Sequence, residues 1–451
     1  MNKNFRQRSF DFFDTVKTTP KNGFAEAISS SDNSIQTADR AFHDWYRFVL
    51  SYPPHLVRDY IQDFELQGDA VVLDPFCGTG TTLVEAQLNH LQSIGLEVNP
   101  FPFFATRVKT DWKTDPKTLK EIADEIAETT LSKLFEQGID DRNLQVDKKE
   151  KLRALPPEVE RALIKDSISP IPLHKSLVLL DKINGFRGNP AHQYCILALG
   201  NALITSIGNL RFGPEVGVGK IKKDVHVVAA WKNEINRMAN DLETVYGEDY
   251  RQAQVYMADA RNLTTVLQPH SVDAVISSPP YPNEKDYTRT TRLESVLLGF
   301  IEDMTQLRTF KKTFLRSNTR GVYKSDNDDL WINDHKEIQA LAQKIETRRI
   351  ELGKTSGFEK LYGRVTKLYF GGMARHLTEL TSILKPGARL AYVVGDQASY
   401  LRVMIRTGQL LASIAEKIGY EVERIDLFRT RFATATQDEL REEVVVLRWR
   451  G

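Results

Sequence analysis

Cysteine is scarce, with two in 451 residues. Two thiols exclude a disulfide framework and a cysteine-rich zinc site, and they suit a reducing, cytoplasmic setting. An excess of one charge is also lacking. The formal net charge is only +1, so no overall field attracts nucleic acid, and any affinity for it must come from local basic patches. No apolar run approaches the roughly 18 residues of a membrane span. Residues 1–13 alternate charge and aromatics without an apolar core, which argues against a secretory signal.

What is present fits a globular chain, at 41% hydrophobic and 27% charged residues. The length calls for one large domain with insertions, or for two to three domains. A short apolar run at 70–73 ends at Asp74 and reads as a buried strand. Residues 82–89 then read as a helix, with Thr82 and Glu85 spaced as a capping box. A second strand at 93–96 ends at Glu97. Strand, turn, helix, strand is the start of a doubly wound α/β sheet. Strands resume at 254–257 and 272–276. After a helix to Leu384 and a Pro386-Gly387 stop, a further strand follows at 389–394. A helix at 409–417 and two strands, about 421–428 and 442–449, form a closing hairpin. The pattern divides the chain into an arm (1–40), the first part of the sheet domain (41–112) and a mostly helical insertion (113–250). A middle part of the sheet domain (251–284), a second insertion (285–365) and a C-terminal part (366–451) complete it.

Gly78-Thr79-Gly80 lies between a strand and a helix. Glycines there let the backbone approach a ligand, and the helix N-terminus offers unpaired N–H groups to a carboxylate. A phosphate-binding loop would need Gly-Lys-Ser/Thr, and Thr81-Thr82 follow instead. A dinucleotide fingerprint would need Gly or Ala where Leu83 stands. Glu97 ends the next strand, a place where a carboxylate suits the two hydroxyls of a ribose.

Ser278-Pro279-Pro280-Tyr281 follows the fourth strand. Two prolines stiffen the chain and leave carbonyls free to accept hydrogen bonds. Acceptors at Ser278 and the Pro279 carbonyl suit an amino group whose lone pair must be turned out of ring conjugation. Tyr281 offers a flat face for a flipped base.

Asp74-Pro75-Phe76-Cys77-Gly78-Thr79-Gly80-Thr81-Thr82 resembles the cofactor loop of the DNA amino-methyltransferases, the cytosine-N4 and adenine-N6 enzymes of restriction–modification systems. Tyr52-Pro53-Pro54-His55-Leu56-Val57 resembles the segment that precedes it in many members, and Ser278-Pro279-Pro280-Tyr281 resembles their catalytic motif. The resemblance covers about 43–110, 254–290 and 375–450. It implies a Rossmann-like methyltransferase sheet with a closing antiparallel hairpin and S-adenosylmethionine as cofactor. Pro54, Asp74, Phe76, Gly78, Thr79, Gly80, Thr81, Thr82, Glu97 and Asp259 would hold that cofactor, with Asp259 at its adenine amino group. The serine form of the catalytic motif resembles the cytosine-N4 enzymes more often, with adenine N6 as the alternative. Carbon-5 methylation needs a cysteine nucleophile. Cys77 lies in the loop, and Cys195 lies in an apolar helical run.

Double-stranded DNA is the expected partner, along with a cognate restriction endonuclease or defence proteins. Lys311, Lys312, Arg316 and Arg320 in the second insertion are the candidate DNA contacts. Lesser candidates are Arg211 with Lys220, Lys222 and Lys223, and Arg429 with Arg431. Asp286, Tyr287 and Arg289 follow the catalytic motif closely enough to line a base pocket, with a helix cap as the equal alternative. An RNA guanine-N2 methyltransferase and a catalytically silent DNA- or cofactor-binding regulator are the competing readings.

Overall fold

Val72 and Leu73 are adjacent, fully buried, and packed into different cores. Side chains alternate across a strand, so such a pair marks a sheet covered on both faces. The same alternation recurs at Ala274, Val275 and Ile276, and at Val444, Val445 and Val446. The computed structural model describes residues 39–48, 51–147, 151–213, 215–283, 285–433 and 438–451. The expected arm therefore lies outside the described residues except for its last two.

The strands of the main sheet are β1 (Val71–Asp74), β2 (Gln92–Leu96), β3 (Gln254–Tyr256), β4 (Val272–Ser277), β5 (Leu384–Gly395), β6 (Glu421–Ala433) and β7 (Asp438–Arg448). They form one seven-stranded sheet in the order β3-β2-β1-β4-β5-β7-β6. β1 pairs in parallel with β2 and β4, β2 with β3, and β4 with β5. β7 is antiparallel to both of its neighbours, which makes it the inserted arm of the closing hairpin. Strand order reverses between β1 and β4, and in open α/β sheets ligands bind beyond the carboxyl ends of the strands at such a point.

Helices α1 (Pro54–Asp63), α2 (Thr81–Leu88) and α3 (Pro100–Lys109) follow the first motifs. α1 covers one face of the sheet through Leu56, Val57, Tyr60 and Ile61. Helices α4 (Tyr362–Thr381) and α5 (Thr407–Ile418) cover the other, through residues such as Phe370, Met373, Leu377 and Leu411.

Two local expectations are corrected. Pro386-Gly387 does not precede a strand but lies within β5, where a register shift against β4 absorbs it. The Thr82–Glu85 capping box does not form. The helix is capped by Gly80 at φ 84°, and Glu85 instead pairs with Arg58 at 3.0 Å and with His43 at 2.8 Å.

The segment 113–250 carries helices Pro116–Glu136, Pro170–Asn184, Ala191–Ala202 and Val227–Glu243 and two short two-stranded sheets, 139–140 with 145–146 and 210–211 with 217–218. Asp115 caps the first of these helices by accepting from Lys117 and Thr118 N–H. The insertion shares its main core with the sheet domain, beside a small cluster of its own at Leu134, Ile139, Val178 and Val228. Trp231, Ile235, Met238 and Tyr194 pack in one cluster with Val84 of α2 and Phe101 and Ala105 of α3. Trp231 is fully buried, and its indole N–H donates to the Cys195 carbonyl at 3.0 Å. Trp231→Ala is expected to cost about 3–5 kcal/mol through the cavity it leaves. Because the core is shared, urea unfolding should show the insertion and the sheet domain destabilised together. An early transition confined to the insertion would contradict a shared core.

Candidate active site

The carboxyl ends of β1, β2, β3 and β4 open on one cavity of about 630 Å³. Phe76, Gly78, Thr79 and Thr81 come from the loop after β1. Glu97 follows β2, Asp259 follows β3, and residues 278–281 follow β4. The volume lies within the range of small-molecule and cofactor sites.

The glycine loop is held from behind. Thr106 Oγ1 donates to the Gly78 carbonyl at 2.9 Å, and Lys109 Nζ donates to the Thr79 carbonyl at 2.7 Å. Both side chains sit on α3, three residues apart and hence on one helical face. Lys109 is buried, and burial with Arg47 nearby pulls its ammonium down to about 7. At Gly80 a Cβ would stand 2.8 Å from Thr106 Cγ2, and φ is positive, so no larger residue fits. Sequence reading missed Thr106 and Lys109. Their i, i+3 spacing just after the second strand is the signal that could have found them.

Glu97 accepts from Gly78 N–H at 3.0 Å and from Asn99 N–H at 2.7 Å. Burial pushes its carboxyl up to about 7, against the pull of these backbone donors.

Asp74 has another place. It is fully buried and does not line the cavity. Its Oδ1 accepts from Ser277 Oγ at 2.6 Å and Phe76 N–H at 3.1 Å, and its Oδ2 accepts from Tyr52 OH at 2.9 Å. Tyr52 OH also meets Thr82 Oγ1, which donates to the Ile276 carbonyl at 3.0 Å. Asp74 and Thr82 thus organise the site instead of lining it. Gly80 is likewise absent from the cavity wall. Pro54 turns into the core as the first residue of α1, and Pro53 takes its place at the wall.

Asp259 lines the cavity, but both of its carboxylate oxygens are engaged by Arg261, at 3.0 Å and 2.6 Å. Arg261 also pairs with Asp328 of the second insertion at 2.5 Å. That partnership was not foreseen.

Ser278 Oγ donates to the Val393 carbonyl at 3.1 Å, which leaves its oxygen lone pairs available. The Tyr281 ring packs against Gly395 of β5, where a Cβ would come within 2.9 Å of it. Tyr287 lines the cavity. Its hydroxyl receives the Tyr281 N–H at 3.5 Å.

The basic segment of the second insertion divides. Lys312 and Arg320 are exposed. Lys311 pairs with Asp286 at 2.5 Å. Arg316 is corrected as a DNA contact. It is buried, pairs with Asp326 at 2.8 Å and donates to the Lys312 carbonyl at 2.9 Å, so its guanidinium supports the loop from inside. Both cysteines are buried, and burial raises both thiols, Cys195 to about 12, which is the reverse of an activated nucleophile.

A doubly wound sheet with this cavity at its switch point, a glycine loop after β1 and an acid after β2 defines an S-adenosylmethionine-dependent methyltransferase. A family model described as DNA methylase matches residues 15–102, and one described as RMKL-like, methyltransferase domain matches residues 61–154. The Type II methyltransferase M.AvaI of a Nostoc species is 25% identical over 432 residues, spanning 91% of this chain and 86% of the relative. M.BsoBI of Geobacillus stearothermophilus is 24% identical over 444 residues, spanning 88% and 82%. M.MjaII of Methanocaldococcus jannaschii is 30% identical over 106 residues, which is 24% of this chain and 20% of the relative. The chain is similar to the DNA amino-methyltransferases, and these matches support an S-adenosylmethionine-dependent DNA methyltransferase. It uses S-adenosylmethionine and acts on DNA. Among the described residues no helix is long and apolar enough to cross a membrane.

Asp74→Ala would leave the Ser277 hydroxyl, the Tyr52 hydroxyl and the Phe76 N–H without their acceptor. Each stranded buried donor costs about 1–3 kcal/mol, so the loss is expected to be about 3 kcal/mol or more. Urea denaturation measures it. A loss below 1 kcal/mol would mean that the network carries no weight.

Proposed function

We propose that this enzyme methylates cytosine N4 within a specific duplex sequence, as the modification half of a restriction–modification pair. The observation that carries the reading is the arrival of residues 278–281 at the same cavity as Phe76, Gly78 and Glu97. The serine at position 278 supports cytosine N4. The Type II names of M.AvaI and M.BsoBI, relatives matched over most of their length, support a partner endonuclease.

The residues present suit the cofactor. Glu97 would take the ribose hydroxyls, and Asp259, oriented by Arg261, the adenine amino group. Phe76 and the Gly78-Thr79-Thr81 backbone would frame the rest. When bound, S-adenosylmethionine supplies an electrophilic methyl group on a sulfonium sulfur.

The chain's own task is to present the target nitrogen. A base must leave the duplex stack to reach a cavity of this kind. Tyr281 would stack on the flipped ring. Ser278 Oγ and the Pro279 carbonyl would accept the two amino hydrogens, turning the nitrogen lone pair out of conjugation toward the cofactor side. Pro279 and Pro280 fix the backbone, so this geometry is set before the base arrives. No covalent enzyme intermediate is needed, which agrees with two thiols raised by burial.

Labelled S-adenosylmethionine offered with duplex DNA and with tRNA tests the substrate. Transfer to DNA alone is expected, and label on tRNA alone would overturn the assignment. Tyr281→Ala should lower transfer at least a hundredfold while cofactor affinity by calorimetry stays within threefold. A collapse of cofactor affinity would place Tyr281 on the wrong ligand.

The Glu97 carboxyl gives a pH signature. Ribose hydroxyls favour its ionised form, and below about pH 7 the free enzyme holds the proton. Cofactor binding at pH 6.5 should therefore release protons, and affinity should fall as pH drops. Calorimetry in buffers of different ionisation enthalpy reads this release, which Glu97→Gln should abolish. Equal proton release in Glu97→Gln would assign the effect elsewhere.

A further inference from the structure

Beside Tyr281 the closing hairpin carries a charge arrangement that the methyl-transfer chemistry does not use. Glu442 of β7 reaches the same spot as the Tyr281 ring. A Cβ on Gly395 would meet Tyr281 at 2.9 Å and the Glu442 side chain at 3.4 Å. Arg429 stands directly opposite Glu442 in the β6–β7 ladder and donates to its Oε2. Arg431, two residues along and so on the same face of β6, lies 3.4 Å from its Oε1. Lys285, half-buried just after the catalytic motif, lines the same cavity.

One carboxylate thus faces three cations, a surplus of two positive charges on the wall next to Tyr281. Arg429 is well engaged. Arg431 is not, because its contact is long and its side chain is 53% exposed. Burial lowers the Lys285 ammonium, with Arg431 the next contributor and Glu442 opposing, so the two cations sense one another. A surplus of like charge in a partly dry wall is unfavourable until an anion enters. The base that enters this cavity is neutral, and the anion tied to it is its backbone phosphate.

We propose that Arg431 and Lys285, with Arg429 fixed by Glu442 as their base, form a phosphodiester-binding site for the flipped target nucleotide. This rests on the base-flipping reading of the site. Arg431 supplies a fork of N–H donors suited to phosphate oxygens, and Glu442 keeps Arg429 from collapsing into the cavity. The sequence reading had singled out Arg429 and Arg431 only as a lesser basic candidate. Their placement beside Tyr281 gives them one specific task, namely to hold the extruded nucleotide while Tyr281 stacks on its base.

The test pairs a protein change with a DNA change. After the methylated site is mapped, duplexes carry single neutral methylphosphonate linkages at successive positions around the target base. For the wild-type enzyme, one linkage flanking the target should lower kcat/KM about tenfold. For Arg431→Gln that same linkage should have no further effect, while neutral linkages elsewhere act on both proteins alike. The slope of log kcat/KM against log salt should fall by about one unit in Arg431→Gln and be restored in Arg431→Lys. Cofactor affinity by calorimetry checks that the variants are folded. If the variant and the neutral linkage lower kcat/KM by independent factors, Arg431 does not hold that phosphate and the proposal fails. The same holds if no flanking linkage matters to the wild type. Absence of any wild-type transfer to DNA would instead overturn the functional reading itself.

Discussion

The Asp74 carboxylate is fully enclosed and takes hydrogen bonds from the Tyr52 hydroxyl, the Phe76 N–H and the Ser277 hydroxyl. Those donors come from the segment before α1, from the glycine loop and from the end of β4, and Ser277 is 203 residues from Asp74 in sequence. The carboxylate therefore joins the loop facing the cofactor to the strand that delivers the catalytic motif. Burial raises its carboxyl, while Ser277, Tyr52 and Phe76 pull it back down. A charged or strongly polar group with all its partners present is rigid, and with one removed it becomes a defect, so the arrangement is kept as a unit. Thr82 extends it by bonding Tyr52 and the Ile276 carbonyl, which fixes the start of α2 against the end of β4.

The two long insertions attach to this centre in different ways. The first shares a hydrophobic core with α2 and α3, so it stiffens the helices that carry Thr106 and Lys109 behind the glycine loop. The second packs Leu315, Ile332, Ile338 and Ile345 into the cluster of Phe370 and Met373 and adds polar contacts. Lys311 pairs with Asp286, Asn318 donates to the Lys285 carbonyl at 3.0 Å, and Arg261 joins Asp259 to Asp328. The walls of the cavity are thus built from the insertion as well as from the sheet. The segment that carries the exposed Lys312 and Arg320 is joined to residues 285 and 286 through Asn318 and Lys311.

Much of this was legible in the chain itself. Short, mostly apolar runs before Asp74, Glu97 and Ser277 identified β1, β2 and β4, though Ser93 and Asp273 interrupt the second and third. Residues 278–281 and Glu97 line one cavity. What sequence could not show was which polar side chains face inward. Asp74 and Thr82 carry the motif but point away from the cavity, because neighbouring residues on a strand end or first helical turn face opposite ways. Arg316 sits in a basic run yet turns inside, since Asp326 and the carbonyls of Lys311, Lys312 and Phe314 take its donors. Position in a run of charges says nothing of such long-range partners. Pro386-Gly387 looked like a stop and proved to be a kink within β5, where the long pairing with β7 outweighs local turn preference.

The central claim is that the exocyclic amino group of a DNA base receives the methyl, with cytosine N4 as that group. Nucleoside mass spectrometry on DNA from a methylation-free host expressing the enzyme tests it most directly. The account predicts N4-methylcytosine as the new nucleoside. N6-methyladenine would keep the chemistry and contradict the base, while 5-methylcytosine would contradict the site's mechanism outright.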